Sequence, residues 1–249
     1  MKATFRGGRI GSAAHNDRSY PGGERTEEVR ILVRDGRRVR KLGPAERLED
    51  LERQFYGQRY KTSVEAQNER HVRSRHPERC KTTDDLYKGR RTKPLEIVLQ
   101  IGNKDNAPDL GALTGAINGF MSSLTATYHN CQPLSISLHN DETTPHIHLR
   151  VVFDHQGEDG PVICQTAALQ EMGVPLPDPE KPESRYNCRL MVWTEQCREL
   201  WIAHCREQGL KIDDPQKCNR EHLSIRNYKA AAATSDRERA RTLDRDIER

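Results

Sequence analysis

The 249-residue chain lacks any apolar run of about 18 residues, so an ordinary transmembrane helix is excluded. The opening stretch, MKATFRGGRIGS, lacks the apolar core of a signal peptide. Cysteine is not arranged as a framework: there are seven, an odd number, and no CxxC pair occurs. Without a leader, that usage reads as reduced thiols in a cytoplasmic protein. Aromatic residues are scarce at 5%, so a core must rest mainly on Leu, Ile, Val and Ala. The chain also lacks a strong overall charge, at +4. That balance hides an asymmetry. Residues 1–94 carry 24 Lys and Arg against 14 Asp and Glu, whereas residues 95–249 carry 17 against 23. A basic front half points to an anionic partner, nucleic acid among them; a solvated Arg-rich helical surface is the plainer alternative.

What is present has clear periodicity. Val29–Val39 alternates around Asp35-Gly36, as a hairpin does. From Pro44, placed as an early helix residue, to about Arg75, Leu48, Leu51, Phe55, Tyr56 and Tyr60 recur at helical steps. Leu95–Ile101 is an apolar run ended by Gly102-Asn103, a buried strand. Pro108–Tyr128 has helical spacing, and Pro133–His139 and His146–Phe153 read as strands. Strand, helix, strand, strand is part of a ferredoxin-like split βαβ unit. The six-residue link Asn140–Pro145 is too short for a parallel crossover, so the last two strands form an antiparallel hairpin. A short helix over Thr166–Met172, a Pro-rich loop over Pro175–Ser184 and a helix over Met191–Gln208 follow. The expected fold is α+β, an antiparallel central sheet packed by helices, with further helices at both ends. Residues 1–210 are expected to form the catalytic domain and 211–249 a charged helical extension.

The densest chemistry lies in 138–149, LHNDETTPHIHL, which holds three of the ten histidines. Side chains at i and i+2 of a strand share a face. His146 and His148 therefore point one way and Ile147 the other, and the hairpin returns His139 beside them. Three neutral imidazoles with open positions make a catalytic metal site rather than a closed structural one. An HxH pair alone is weak; three histidines, two strands and a short acidic link together are not. Imidazoles with water positions suit Mn2+, Mg2+ or Zn2+. Asp141 and Glu142 either shape the turn or serve the metal, with Glu142 favoured as a base or ligand. A second cluster, Ala14-His15-Asn16-Asp17-Arg18, is weak by itself. It supplies what a metal-bound phosphate needs: a nucleophile in His15 or Tyr20, and a guanidinium in Arg18.

The segment 138–149 resembles the three-His metal motif of the plasmid mobilisation and recombination relaxases, the Mob/Pre or MobV family of the HUH endonuclease group. His15-Asn16-Asp17-Arg18 resembles that family's N-terminal HNxR motif, and Pro94–Asn103 its strand before the helix. The resemblance covers about 1–20 and 94–155. It implies an HUH-type fold and a metal-dependent enzyme that nicks one strand of plasmid DNA at an origin of transfer. The enzyme becomes linked to the 5′ phosphate and can rejoin the ends. Carried over, His15 is the nucleophile, with Tyr20 as the alternative. His139, His146 and His148 hold the metal, Mn2+ or Mg2+ in preference to Zn2+, and Glu142 is an acid/base or metal-site residue. Asn16 and Arg18 position DNA or His15. The partner implied is DNA, single-stranded at the nick, with other mobilisation proteins beside it. Tyr56, Tyr60 and Tyr87 either stack bases or pack the core. Two other readings remain. One is an HUH replication initiator or transposase with a tyrosine on a later helix, for which Tyr186 and Tyr228 lie downstream. The other is a DNA-binding repressor that keeps the fold without turnover.

Overall fold

The computed structural model describes residues 1–8, 11–35 and 38–213. In chain order the elements are β1 (Ala3–Gly8), α1 (Ala13–Asn16), β2 (Val29–Asp35), β3 (Arg38–Lys41), α2 (Leu48–Arg73), α3 (Thr83–Lys88), β4 (Leu95–Ile101), α4 (Leu110–Thr127), β5 (Cys131–His139), β6 (His146–Gly157), β7 (Gly160–Ile163), α5 (Gln165–Glu171) and α6 (Arg189–Glu207). The sheet order is β1-β4-β6-β5-β2-β3, with β7 paired to β6, and every pairing is antiparallel. Because β4 and β5 both run against β6, they are parallel to each other. They are joined through α4, with β6 inserted between them, which is the split βαβ expected. The α+β class therefore holds. No helix of the described residues is long and apolar enough to cross a membrane.

Alternation along the strands sorts the two faces. Ile97 pairs with Leu149 and Leu99 with Ile147, so these side chains share one face. They are fully buried against Leu113, Phe120 and Leu124 of α4 and Trp193 and Trp201 of α6. Each such aliphatic side chain removed from water contributes roughly 1.5–3 kcal/mol. The opposite face carries the intervening residues Glu96, His146, His148 and Arg150. α2 covers its far half, where Tyr56, Tyr60 and Val64 pack on Leu134 and Val152. Pro133 lies where β5 shifts register between Pro133 and Ser135. Such an irregularity tolerates a residue without an N–H.

Several expectations change at the front. α2 begins at Leu48, and Pro44 lies before it in a turn. There the Glu46 carboxylate folds back onto the Gly43 N–H (2.6 Å) and Arg40 (2.7 Å), which stops the helix from extending backwards. The first turn of α2 has no cap from its own flanking residue. Asp17, from the neighbouring α1, takes that place, its Oδ2 accepting from the Leu48 N–H at 2.6 Å. A carboxylate at a helix N-terminus satisfies an orphan donor and complements the dipole. Tyr56, Tyr60 and Tyr87 are buried and donate to Thr92 O, Asp154 and Glu52, so they pack the core and are not stacking platforms. β1 and β7 were not anticipated. Of the extension expected over 211–249, residues 214–249 lie outside the described residues.

Candidate metal centre and its surroundings

The register builds the site. His139 at the end of β5 pairs directly with His146 at the start of β6, and Ser137 pairs with His148. Directly opposed residues face the same way, so the hairpin delivers all three imidazoles to one face. Their ring centroids lie 4.6–5.2 Å apart. Ile147, between them in sequence, is buried in the core on the other face.

Each ring is oriented by one nitrogen and leaves the other facing inward. His139 Nε2 lies 2.9 Å from Asn16 O, His146 Nδ1 lies 3.0 Å from Thr144 O, and His148 Nδ1 lies 2.8 Å from Glu96 Oε1. A carbonyl or carboxylate oxygen only accepts, so each of those nitrogens carries the proton. The remaining nitrogens then present lone pairs. His139 Nδ1 is buried and has no hydrogen-bond partner. His146 Nε2 and His148 Nε2 face each other at 3.0 Å. Two converging lone pairs and an orphaned third make an unstable arrangement alone and a good donor set for a cation. Glu142 adds a carboxylate, with Oε1 3.9 Å from His139 Nδ1 and Oε2 4.0 Å from His146 Nε2. His139, Glu142 and His146 offer ligand atoms that all lie within 4.8 Å of one another; so do His15, His139 and His148. Burial lowers the pKa of His139 to about 4 and also lowers that of His146, so both rings stay neutral and able to ligate at neutral pH.

The HNxR cluster sits against these rings. Ser12 caps α1, its hydroxyl accepting from the His15 N–H. His15 then lies 5.4 Å from the His139 ring and 5.2 Å from the His148 ring, centroid to centroid. Burial, His148 and Arg18 together depress its pKa, leaving a neutral imidazole. Tyr20 stacks on the outer side of His15 at 6.5 Å and is partly exposed. The other three residues of the cluster turn inward. Asn16 is fully buried; its carbonyl holds His139 and its Nδ2 donates to Glu96 (3.2 Å). Asp17 anchors α2, as described. Arg18 is buried and donates to both oxygens of Asp141 (2.8 and 2.7 Å) and to Glu142 Oε1 (2.8 Å). In this structure the Arg18 head group and the Asn16 amide N–H face other side chains of the site, and the buried Asn16 Oδ1 has no hydrogen-bond partner. Asp141 is bound as closely by Arg18 as Glu142 is, but only Glu142 approaches the histidines. Burial pushes the Glu142 carboxyl up, yet the Arg18 hydrogen bond and the nearby histidines hold it below its ordinary value.

Three charged residues were missed by sequence reasoning. Glu96 on β4 holds His148, and Arg150 and Glu52 stand behind it. The signal was available: a charge inside an otherwise apolar strand, as in LEIVLQI or HIHLRVVF, is buried and must have a partner. No tyrosine lies on α5 or α6, where a tyrosine-using relative would carry its nucleophile, and Tyr186 is an exposed loop residue ahead of α6. Tyr228 lies outside the described residues.

Comparison with solved structures decides the fold. One crystal structure of the MobM relaxase domain (MOBV; Mob_Pre), Mn-bound and in complex with plasmid pMV158 oriT DNA, matches 93% of this chain and 100% of its own at a TM-score of 0.54 and 13% identity. The chain has the fold of the MobM relaxase domain. A second Mn-bound complex with oriT DNA matches at a TM-score of 0.51, covering 93% of this chain and 99% of its own. A third matches at 0.53, covering 92% and 100%; identity is 12% in both. No protein-family model and no curated protein matches the sequence. The resemblance read from three short sequence blocks thus extends, as a fold, over 93% of the chain.

Proposed function

We propose that this protein is a relaxase, a metal-dependent transesterase that nicks one DNA strand at an origin of transfer with His15 as nucleophile. The observation that carries the reading is His15 itself. An imidazole kept neutral stands 5.4 and 5.2 Å, ring to ring, from His139, whose inner nitrogen lacks a partner, and from His148, whose inner nitrogen faces that of His146. His139, His146 and His148, with Glu142 beside them, would hold a divalent ion, Mn2+ or Mg2+ in preference to Zn2+. Such an ion, when bound, polarises a phosphodiester oxygen and offsets charge developing on it.

The rest of the chemistry belongs to the chain. A lone pair of His15 attacks the scissile phosphorus, forming an N–P bond. The P–O3′ bond breaks, and the 3′ oxygen leaves and takes a proton from water. The 5′ phosphate stays on His15, and attack by a 3′ hydroxyl reverses the step and rejoins the strand. Arg18 and Asp141 fix the link that carries Glu142, and Asn16 fixes His139. All three therefore act as positioning residues. The DNA is single-stranded at the nick, because an unpaired strand can bend its phosphate into line with the His15 ring, which a stiff duplex resists. Exposed Arg and Lys side chains of the front half contribute backbone contacts that weaken with salt. Plasmid DNA as substrate places the reaction in the cytoplasm, alongside other mobilisation proteins. The test is direct. Protein, Mn2+ and a supercoiled plasmid carrying the cognate origin should yield relaxed circles with protein attached. Absence of nicking with every divalent metal tried on that origin would sink the proposal.

A further inference from the structure

Behind the metal centre runs a buried chain of charges that the chemistry does not use. Arg150 lies two residues after His148, on the same face of β6, and is buried. Its guanidinium is divided. Nε and Nη2 grip the two oxygens of Glu52 on α2, at 2.6 and 2.9 Å. Nη1 donates to Glu96 Oε2 at 2.9 Å. The other oxygen of Glu96 receives the His148 ring at 2.8 Å. Tyr87, from α3, donates to Glu52 at 2.8 Å and closes the chain at its far end. The sequence of contacts is Tyr87, Glu52, Arg150, Glu96, His148.

A buried ion pair is weak evidence for stability, because desolvation cancels much of the attraction. This cluster is also unbalanced: two carboxylates share one guanidinium. The surplus negative charge lies against an imidazole whose other nitrogen faces the metal position. The split fork explains how that charge is kept. Glu52 takes the bidentate edge of Arg150 and leaves Glu96 a single donor from it. Glu96 is then held in place without being neutralised, and stays a strong acceptor for the His148 N–H. A strong acceptor on one imidazole nitrogen raises the basicity of the other.

We infer that Glu52 is a positioning residue for the metal centre, acting through Arg150 and Glu96 to keep His148 oriented and electron-rich, and that Tyr87 supports it. The inference rests on the metal site proposed above. It assigns to α2, which carries no ligand, a part in setting metal affinity. Removing the charge of Glu52 frees the bidentate edge of Arg150 for Glu96, weakens the Glu96–His148 bond and loosens the metal.

The test uses the full chain, stripped of metal and titrated with Mn2+, with free Mn2+ read by electron paramagnetic resonance. Glu52→Gln keeps shape and hydrogen-bonding capacity, and is expected to weaken Mn2+ binding by about tenfold, the lower end of the range for groups that support metal ligands. Tyr87→Phe should weaken it by about two- to threefold in the same direction, and decides the matter if Glu52→Gln does not fold. Tyr60→Phe removes a comparable buried hydrogen bond from the same helix, one that goes to Asp154 and not to the Glu52–Arg150–Glu96 chain. It should lower thermal stability and leave Mn2+ affinity unchanged. Wild-type affinity in both Glu52→Gln and Tyr87→Phe would overturn the inference while leaving the metal site standing. A Mn2+ loss in Tyr60→Phe matching that in Glu52→Gln would also overturn it, by showing a general effect of loosening α2. A wild-type protein that binds no Mn2+ would remove the metal site and the inference together.

Discussion

Arg18→Met is the sharpest probe of how the two sequence motifs are joined. The arginine stands in the left-handed region, at a φ of 59°, which is uncommon for a residue with a side chain. Methionine keeps that strained backbone and an apolar stem, so the difference reports the lost head group. Three hydrogen bonds to charged oxygens go: two to Asp141 and one to Glu142. Stripping a buried charge of its partner costs about 3–5 kcal/mol when both are buried. Here the guanidinium is buried, but the side chains of Asp141 and Glu142 are 21% and 44% exposed, so water takes over part of their need. A loss of about 2–3 kcal/mol remains. For a folded unit of this size, each kcal/mol moves Tm by roughly 2–4 °C, giving a fall of about 5–10 °C. Thermal denaturation measures it, and a double-mutant cycle with Asp141→Asn isolates the pair. Asp141→Asn should cost at least about 1 kcal/mol less in the Arg18→Met background than in wild type. A Tm within 1 °C of wild type, or strict additivity in the cycle, would refute the reasoning.

Three other predictions concern the scaffold. Asp17→Ala should destabilise the protein by about 1–2 kcal/mol in urea titrations, since it removes the cap on α2; an unchanged midpoint would mean that α2 is capped otherwise. Hydrogen bonds from Arg40 and the Gly43 N–H hold the Glu46 carboxyl at about 2, below its ordinary 4.5. Its contribution to stability is therefore complete above pH 4.5 and lost as pH falls from there toward 2; an NMR titration midpoint near 4.5 would contradict the turn geometry. Burial pushes the thiols of Cys131 and Cys197 well up and that of Cys205 to about 12. Iodoacetamide at pH 8 should modify the partly exposed Cys80, Cys164 and Cys188 and spare those three. Labelling of Cys131 or Cys197 at the rate of a free thiol would show that the core is misplaced.

The middle of the chain was legible because its signals are strong. LEIVLQI is too apolar to be anything but buried, and a six-residue link between two alternating segments leaves only a hairpin. Period-two geometry then placed His146 and His148 together without any knowledge of the fold. β1 escaped because ATFRGG is a short, Gly-ended edge strand whose pattern differs little from a loop. β7 has four residues and is held mainly by pairing with β6. Charge counting placed a DNA grip in the front half, but it cannot tell a surface arginine from a buried one. Arg18 and Arg25 turn inward, to Asp141 and to the carbonyls that hold the α2 entry. Part of the basic excess is therefore structural. The support behind His148 was hidden for the same reason: Glu52 and Glu96 read as ordinary charges until the strands and α2 bring them to Arg150.

The central claim is that His15, and not Tyr20, takes the phosphate. The two rings are stacked neighbours, but of the two only His15 lies against His139 and His148. The decisive measurement is the identity of the DNA-linked residue. It is made by trapping the covalent complex on a single-stranded origin oligonucleotide with Mn2+, digesting it, and locating the nucleotide adduct by mass spectrometry. The adduct should sit on His15 and be acid-labile, as an N–P bond is. It should vanish in His15→Ala while Tyr20→Phe still forms it. An acid-stable adduct on Tyr20, surviving His15→Ala, would contradict the account.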